Sequence, residues 1–157
     1  RVVREHGVAA IRAVEKQEVT DALEYVVEAA VLLSCLAFEN GGLSIAHAMA
    51  PGLGTMRGAK DALHGEHVAY ATLVQMAVEN RPDAEIEDLM GFLREIGLPC
   101  CLGDFGMNDP TAAEIEALAA ACAASPHIAN QARVVGAADI RRGIETIESW
   151  KGRKHGR

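Results

Sequence analysis

The chain has 157 residues, half of them apolar and 24% charged, with a formal net charge of −7. A domain of this size and composition buries enough surface to fold without disulfides or a structural metal, which excludes an intrinsically disordered chain. Residues 17–132 carry four Lys and Arg against 17 Asp and Glu. This acidic stretch disfavours a nucleic-acid partner, because phosphate binding needs a basic face.

Membrane insertion and disulfide formation are also disfavoured. The longest apolar run, residues 29–38, is about half as long as the roughly 20 residues that a membrane span requires. The four cysteines include no C-x-x-C pair and no Cys/His cluster at metal-binding spacing. They are therefore interpreted as reduced core cysteines of a cytoplasmic protein.

An apolar period of 3.6 residues, many alanines and few β-branched runs predict an all-helical chain. The first helix is predicted over residues 3–16 and the second over residues 19–38, ended by Gly41 and Gly42. One apolar stripe of the second helix is expected to face inward, and its members are Val19, Ala22, Leu23, Val26, Val27, Ala30 and Leu33.

A short helix over residues 43–50 is predicted to end at Pro51. A loop containing three glycines then leads to a long helix over residues 61–79, which is apolar nearly all round and is expected to be the central helix. Asp83 is expected to cap the next helix, and Asp109 and Pro110 to begin another. The last segments are predicted as a helix over 83–96, a helix over 109–124, an irregular stretch over 125–136 and a helix over 137–150.

Two of the six histidines stand out as candidate metal ligands. His47 lies among small residues, and His64 begins the predicted central helix just before Gly65. Neutral imidazoles bind Zn²⁺ and other divalent ions, and a catalytic zinc takes about three protein ligands. Because these histidines are 17 positions apart on different helices, ordinary core or helix-start histidines remain the alternative.

The other histidines give weaker indications. His67, one turn after His64, is a third candidate ligand by its i, i+3 spacing. His127 is uninformative by spacing, and His6 and His155 near the two ends are expected to be solvated. Glu39 is a candidate for orienting a ligand histidine, although a solvated carboxylate at a helix end is the simpler interpretation. No P-loop, G-x-S-x-G or strand-linked G-x-G-x-x-G motif occurs.

Three segments carry a family resemblance: FENGGLSIAHAMAPG at residues 38–52, ALHGEHVAYATLVQMAVEN at 62–80 and GFLREIGLPCCLGDFGM at 91–107. Together they closely resemble the C-terminal helical domain of the iron-containing alcohol dehydrogenase superfamily, within it the glycerol dehydrogenase group. The resemblance covers nearly the whole chain. It implies a multi-helix domain of the dehydroquinate synthase-like fold, without the N-terminal α/β nucleotide-binding domain, and a single helical metal-binding domain over residues 1–157.

The resemblance implies a metal-dependent, NAD-linked oxidoreductase that acts on a small polyol such as glycerol. His47 and His64 would bind Zn²⁺ or Fe²⁺, and Phe38 would lie against the substrate carbons. The metal would act as a Lewis acid that lowers the pKa of the substrate hydroxyl, so that hydride can leave for the nicotinamide. A homo-oligomer is left open.

The chain also departs from the family pattern. The family's third ligand, an Asp, and the whole nucleotide-binding domain would lie before Arg1, so the isolated chain is expected to be nearly inactive. Relatives often carry a further His where this chain has Ala50 and Pro51, which bears on substrate preference. Two alternatives stay open: a stand-alone helical remnant that binds or oligomerises, and a superfamily sibling with another substrate, such as a cyclase of the dehydroquinate synthase type.

Overall fold

The structure, a computed structural model, describes residues 1–150, and these residues form helices and loops without any strand. The all-helical fold class predicted from the sequence is therefore confirmed, while His155 lies outside the described residues. The contacts divide the chain into two compact units, Arg1–Gly42 and Leu43–Arg157. None of the helices in the described part of the chain is long and apolar enough to cross a membrane.

The first unit is built from α1 (Val2–Glu15), α2 (Asp21–Glu28), a π-helix (Ala29–Leu33) and α3 (Ser34–Gly41). Thr20 caps α2, since its hydroxyl oxygen accepts a hydrogen bond from the Leu23 N–H at 3.3 Å. The helices α1 and α2 pack against each other, and small buried residues such as Ala10, Ala13 and Ala29 permit a close approach.

The inward-facing stripe predicted for residues 19–38 is wrong. Of its seven residues none is buried, and Val19 is 79% exposed. One reason, which applies only to Ala30 and Leu33, is the π-helix Ala29–Leu33, because its extra residue in a turn rotates the side chains from there on by about 100° relative to a regular α-helix. A second reason is that α1 alone offers too little surface to cover an apolar helix.

Up to residue 150, the second unit holds five α-helices around one core. They are α4 (Ile45–Leu53), α5 (His64–Val78), α6 (Asp83–Glu95), α7 (Ala112–Ala123) and α8 (Ala137–Ser149). Helix α5 contacts α4, α6 and α8, and its Tyr70, Leu73 and Val74 are fully buried. The prediction of a central helix is thus confirmed, although α5 begins at His64, three residues later than expected.

Helix α8 lies directly on α5 because Gly143 has no side chain. A Cβ atom at Gly143 would lie 2.6 Å from Val78 Cγ2 and 3.2 Å from the Val74 carbonyl oxygen. The two helices therefore approach more closely than any larger residue would permit at this position.

Four details of the predicted boundaries differ. Helix α4 does not end at Pro51 but contains it and continues to Leu53. Helix α6 has Pro82 as its N-cap residue, so Asp83 lies in the first turn and makes no side-chain cap. Helix α7 is capped by Thr111, whose hydroxyl accepts the Glu114 N–H, and not begun by Asp109 and Pro110. The stretch predicted as irregular contains a short 3₁₀ helix, Pro126–Asn130. Caps of this kind are decided by side-chain geometry that sequence spacing does not fix.

Candidate metal centre

His47 is the third residue of α4 and is partly buried. The N-terminus of this helix is capped from α5, since the Gln75 side-chain oxygen accepts a hydrogen bond from the Ala46 N–H at 3.0 Å. Pro51 lies one turn after His47 inside α4 and has no N–H, so it cannot donate the usual helical hydrogen bond to the His47 carbonyl. The alanines around His47 in α4 are buried and hold the helix in the core: Ala46, Ala48 and Ala50.

His64 is exposed at the first position of α5. The start of α5 is ordered by Glu66, whose carboxylate accepts the Leu63 N–H at 2.6 Å. This contact satisfies one of the free N–H groups at the helix start. It also fixes the backbone immediately before His64.

The structure brings the two candidate ligands together. The ring centroids of His47 and His64 are 5.6 Å apart, with an interplanar angle of 52°. Neither ring makes a hydrogen bond with any residue that the structure describes. The two imidazoles therefore lie close together, and the structure gives their ring nitrogens no hydrogen-bond partner among the described residues.

The pKa of His47 is lowered from its ordinary value. Burial is the largest cause, because it disfavours the charged imidazolium, and the charges of His64 and His127 lower it further. His47 is therefore neutral at neutral pH, which is the form that carries a free nitrogen lone pair.

This spacing fits two ligands of one ion. A zinc–nitrogen bond is about 2.0–2.1 Å and the ring centre lies about 1 Å further, so two imidazoles on a tetrahedral zinc have centroids about 5 Å apart. The observed 5.6 Å is close to that value. Within residues 1–150, however, no group of three or more His, Cys, Asp or Glu is placed to hold a metal ion.

His67 does not join this pair. It is buried, its Nε2 lies 2.7 Å from the Ala59 carbonyl oxygen, and its ring packs 5.8 Å from the Phe105 ring. A hydrogen-bonded core histidine of this kind holds the loop that precedes α5. The i, i+3 spacing to His64 that made it a candidate ligand was therefore misleading.

Phe38 lies on α3 in the first unit and is 50% exposed. Glu39 beside it is exposed on the same helix. The expected roles of both residues at the substrate site stay predictions.

Sequence reasoning missed His127, which lies close enough to His47 for its charge to lower the pKa of that residue. The two histidines are separated by 80 positions, so no local spacing could have indicated their proximity. The 3₁₀ helix that carries His127 contacts α4, and this tertiary contact brings the residues together.

Comparison with solved structures defines the class of protein. A probable glycerol dehydrogenase from Sinorhizobium meliloti 1021 matches with a TM-score of 0.91 and 36% identity, covering 98% of this chain and 44% of that one. Glycerol dehydrogenase from Schizosaccharomyces pombe matches with a TM-score of 0.89 and 32% identity, covering 95% and 39%. The matched region is the C-terminal part of these enzymes.

Sequence relatives agree with the structural comparison. Glycolaldehyde reductase from Halobacterium salinarum is 39% identical over 147 residues, which is 93% of this chain and 40% of the relative. Glycerol dehydrogenase from Thermotoga maritima is 39% identical over 137 residues, 87% of this chain and 38% of the relative. No family model matches the chain.

The chain is therefore related, over most of its length, to one part of the glycerol dehydrogenases and glycolaldehyde reductase, and the predicted resemblance is confirmed. It spans about 40% of the length of these curated relatives.

Proposed function

We propose that this chain forms the metal-binding helical part of an NAD-linked oxidoreductase of the glycerol dehydrogenase type. His47 and His64 would hold Zn²⁺ or Fe²⁺, and Phe38 would lie against the carbons of a small polyol such as glycerol. The observation that carries the proposal is the 5.6 Å separation of two imidazole rings from different helices, in a chain related to glycerol dehydrogenases.

The residues of the chain would contribute positioning and ligand donation. When bound, a divalent ion supplies Lewis-acid chemistry that lowers the pKa of an alcohol and so promotes hydride transfer to the nicotinamide. His47 is held by α4 and His64 by the start of α5, so the helix packing of the second unit sets their separation. Two rings held on rigid helices orient an ion better than loop residues would.

A third ligand and the nucleotide-binding site would come from the part of the relatives that this chain does not match. Exposed apolar residues on the first unit support this proposal, since part of a larger enzyme leaves apolar surface for the remainder to cover. Val31 is 66% exposed, and several neighbours are also open: Val27, Leu32, Leu33, Leu36 and Phe38. Such a surface weighs against a self-sufficient helical module with a polar exterior.

The proposed substrate is a small compound that carries neighbouring oxygen atoms. The named relatives are glycerol dehydrogenases and a glycolaldehyde reductase, and both names describe interconversion of a hydroxyl and a carbonyl group. These relatives favour an alcohol or aldehyde oxidoreductase over a cyclase of the dehydroquinate synthase type.

Zinc titration of the 157-residue chain tests the proposed ligands. By isothermal titration calorimetry we expect one Zn²⁺ per chain, and at least about tenfold weaker binding after His47→Ala or His64→Ala, because each substitution removes one of two ligands. His6→Ala is the matched control, since His6 lies in the first unit with its ring 4.9 Å from that of Tyr25. This control should bind zinc like the unmodified chain.

The result can contradict the proposal in two ways. No measurable zinc binding by the unmodified chain would show that His47 and His64 do not form a metal site. Equal affinity in all four proteins would show that any bound zinc lies elsewhere.

A further inference from the structure

The turn that leads into α5 is held by a buried side chain of that helix. His67 lies one turn after His64 and is 6% exposed. Its Nε2 lies 2.7 Å from the Ala59 carbonyl oxygen. Because a carbonyl oxygen can only accept, Nε2 carries the proton and donates this hydrogen bond. The bond ties the body of α5 to the chain that comes just before the candidate ligand His64.

Two further hydrogen bonds order the same turn, residues 59–63. The Ala59 carbonyl oxygen also accepts the Ala62 N–H at 3.1 Å. The next N–H, that of Leu63, is accepted by the Glu66 carboxylate at 2.6 Å. The turn therefore enters α5 through three hydrogen bonds, two of which use side chains of α5. Since the helix begins at the residue after this turn, the turn sets where His64 lies.

The outer side of the turn is open. Asp61 and Leu63 are exposed, and Leu63 is 74% exposed. A cavity of about 670 Å³ is lined on this side by Asp61, Ala62 and Glu66. An open side of this kind does not fix a backbone, so the position of the turn depends on the contacts of its inner side.

The inner side rests on a 3₁₀ helix, Leu102–Phe105. A Cβ atom at Gly58 would lie 2.5 Å from the Phe105 carbonyl oxygen, so the chain before the turn lies directly on this backbone. The His67 ring packs 5.8 Å from the Phe105 ring. His67 therefore occupies the junction of the turn, α5 and the 3₁₀ helix, and its ring supplies the hydrogen bond that joins the first two.

We propose that His67 is a positioning residue for His64: its hydrogen bond to the Ala59 carbonyl oxygen holds the turn in the conformation that places the His64 imidazole beside that of His47. The inference rests on the function proposed above. The 5.6 Å separation of the two ring centroids depends on where each helix holds its histidine. A metal site requires its ligands to be held within about 0.5 Å of the productive geometry, so a loosened turn should cost affinity.

Zinc titration of the intact chain tests this assignment with a pair of substitutions. His67→Leu removes the donor and keeps an apolar group in the core. It should weaken zinc binding about tenfold, the lower end of the 10–100-fold that supporting groups around a metal site contribute. His67→Gln replaces the imidazole with an amide that retains an N–H donor, and it should recover most of that loss.

Tyr70→Phe is the matched control for a general loss of stability. Tyr70 is fully buried on the same helix, and its hydroxyl donates a hydrogen bond to Glu148 at 3.0 Å. Its ring also packs on that of Phe105, 6.0 Å away. The substitution removes a buried hydrogen bond of α5 without altering the turn, so zinc affinity should equal that of the unmodified chain.

Amide hydrogen exchange of the metal-free chain measures the turn directly. After His67→Leu the amide protons of Ala62 and Leu63 should exchange at least about tenfold faster, because both are protected by hydrogen bonds within the turn. The same protons should exchange at the unmodified rate after His67→Gln and after Tyr70→Phe.

Three outcomes overturn the assignment. Unchanged zinc affinity after His67→Leu would show that His67 does not act on the site. Unchanged exchange at residues 62 and 63 would show that it does not hold the turn. A loss of affinity that His67→Gln fails to recover, or an equal loss after Tyr70→Phe, would show a general packing role.

The same measurements separate this assignment from the proposed function. Weak zinc binding by the His47→Ala and His64→Ala variants, with normal binding by His67→Leu, would overturn the assignment and leave the proposed function standing. No zinc binding by the unmodified chain would contradict the proposed function. The exchange rates, which need no metal, would then still decide whether His67 fixes the turn.

Discussion

At the scale of single residues, histidines of one chain have different environments that spacing alone cannot separate. His67 and His127 illustrate the difficulty, because the first seemed the better candidate ligand and the second seemed uninformative. The structure shows that His67 is buried with its Nε2 2.7 Å from the Ala59 carbonyl oxygen, and that the charge of His127 contributes to lowering the pKa of His47. The direction of each side chain depends on which helix packs against it, and a sequence does not show this.

Gly143 provides a prediction at the same scale. Gly143→Ala would place a methyl group 2.6 Å from Val78 Cγ2 and 3.2 Å from the Val74 carbonyl oxygen. Overpacking of this kind costs about 1–3 kcal/mol, against a gain of about 1 kcal/mol from helix propensity. We expect a lower free energy of unfolding, measured by urea denaturation.

Gly65→Ala is the matched control for this substitution. Gly65 also lies in a helix, α5, but an added Cβ would meet nothing within 4 Å. The free energy of unfolding of the Gly65→Ala variant should equal that of the unmodified chain or exceed it by up to about 1 kcal/mol. If Gly143→Ala also leaves the free energy of unfolding unchanged or raises it, the close packing of α8 on α5 does not require a glycine at this position.

At the scale of helices, the apolar pattern predicted α5 well and the helix over residues 19–38 poorly. Helix α5 is surrounded by α4, α6 and α8, so apolar residues on all its sides are buried. The second predicted helix has equally apolar residues, yet Val31 and Leu36 are exposed. Apolar composition indicates that a helix needs partners, but it does not identify which partners this chain supplies.

The connection between α4 and α5 gives a prediction for these elements. Gln75→Ala removes the oxygen that accepts the Ala46 N–H, which leaves the N-terminus of α4 without that cap. Losing a helix cap costs about 0.5–2 kcal/mol. We expect a lower unfolding temperature, measured by circular dichroism, together with weaker zinc binding because α4 carries His47.

Glu79→Gln tests whether the lower unfolding temperature and weaker zinc binding expected for Gln75→Ala come from loss of the cap on Ala46. Gln75 also donates a hydrogen bond to Glu79 at 2.7 Å, and this second contact is altered by Glu79→Gln while the cap on Ala46 is retained. A similar loss of unfolding temperature and zinc affinity in both variants would show that the cap on Ala46 is not the cause. A loss confined to Gln75→Ala would support the cap as the cause.

At the scale of the whole molecule, the chain matches about 40% of the length of its curated relatives. Residues 1–150 bring His47 and His64 close together but contain no group of three or more His, Cys, Asp or Glu that could hold a metal ion. An NAD-linked alcohol oxidation needs a hydride acceptor and a complete metal site. The described helices supply two ligands of the proposed metal site, His47 and His64.

The purified 157-residue chain should therefore show no NAD-linked glycerol oxidation above background, even with added zinc. NADH absorbance measures this directly, and the glycerol dehydrogenase from Thermotoga maritima serves as the positive control. Robust turnover that is lost after His64→Ala would contradict the proposal that further parts are needed.

The sequence by itself determined the all-helical class, the central helix and the family resemblance, and it predicted His47 and His64 as candidate metal ligands. These features depend on local periodicity and on motifs read within one segment. Tertiary structure decided that His47 and His64 lie close together, that His67 supports a loop and that the 3₁₀ helix carrying His127 contacts α4. Those outcomes depend on helix packing between residues up to 80 positions apart, because side-chain proximity follows from the burial of whole helices and not from spacing along the chain.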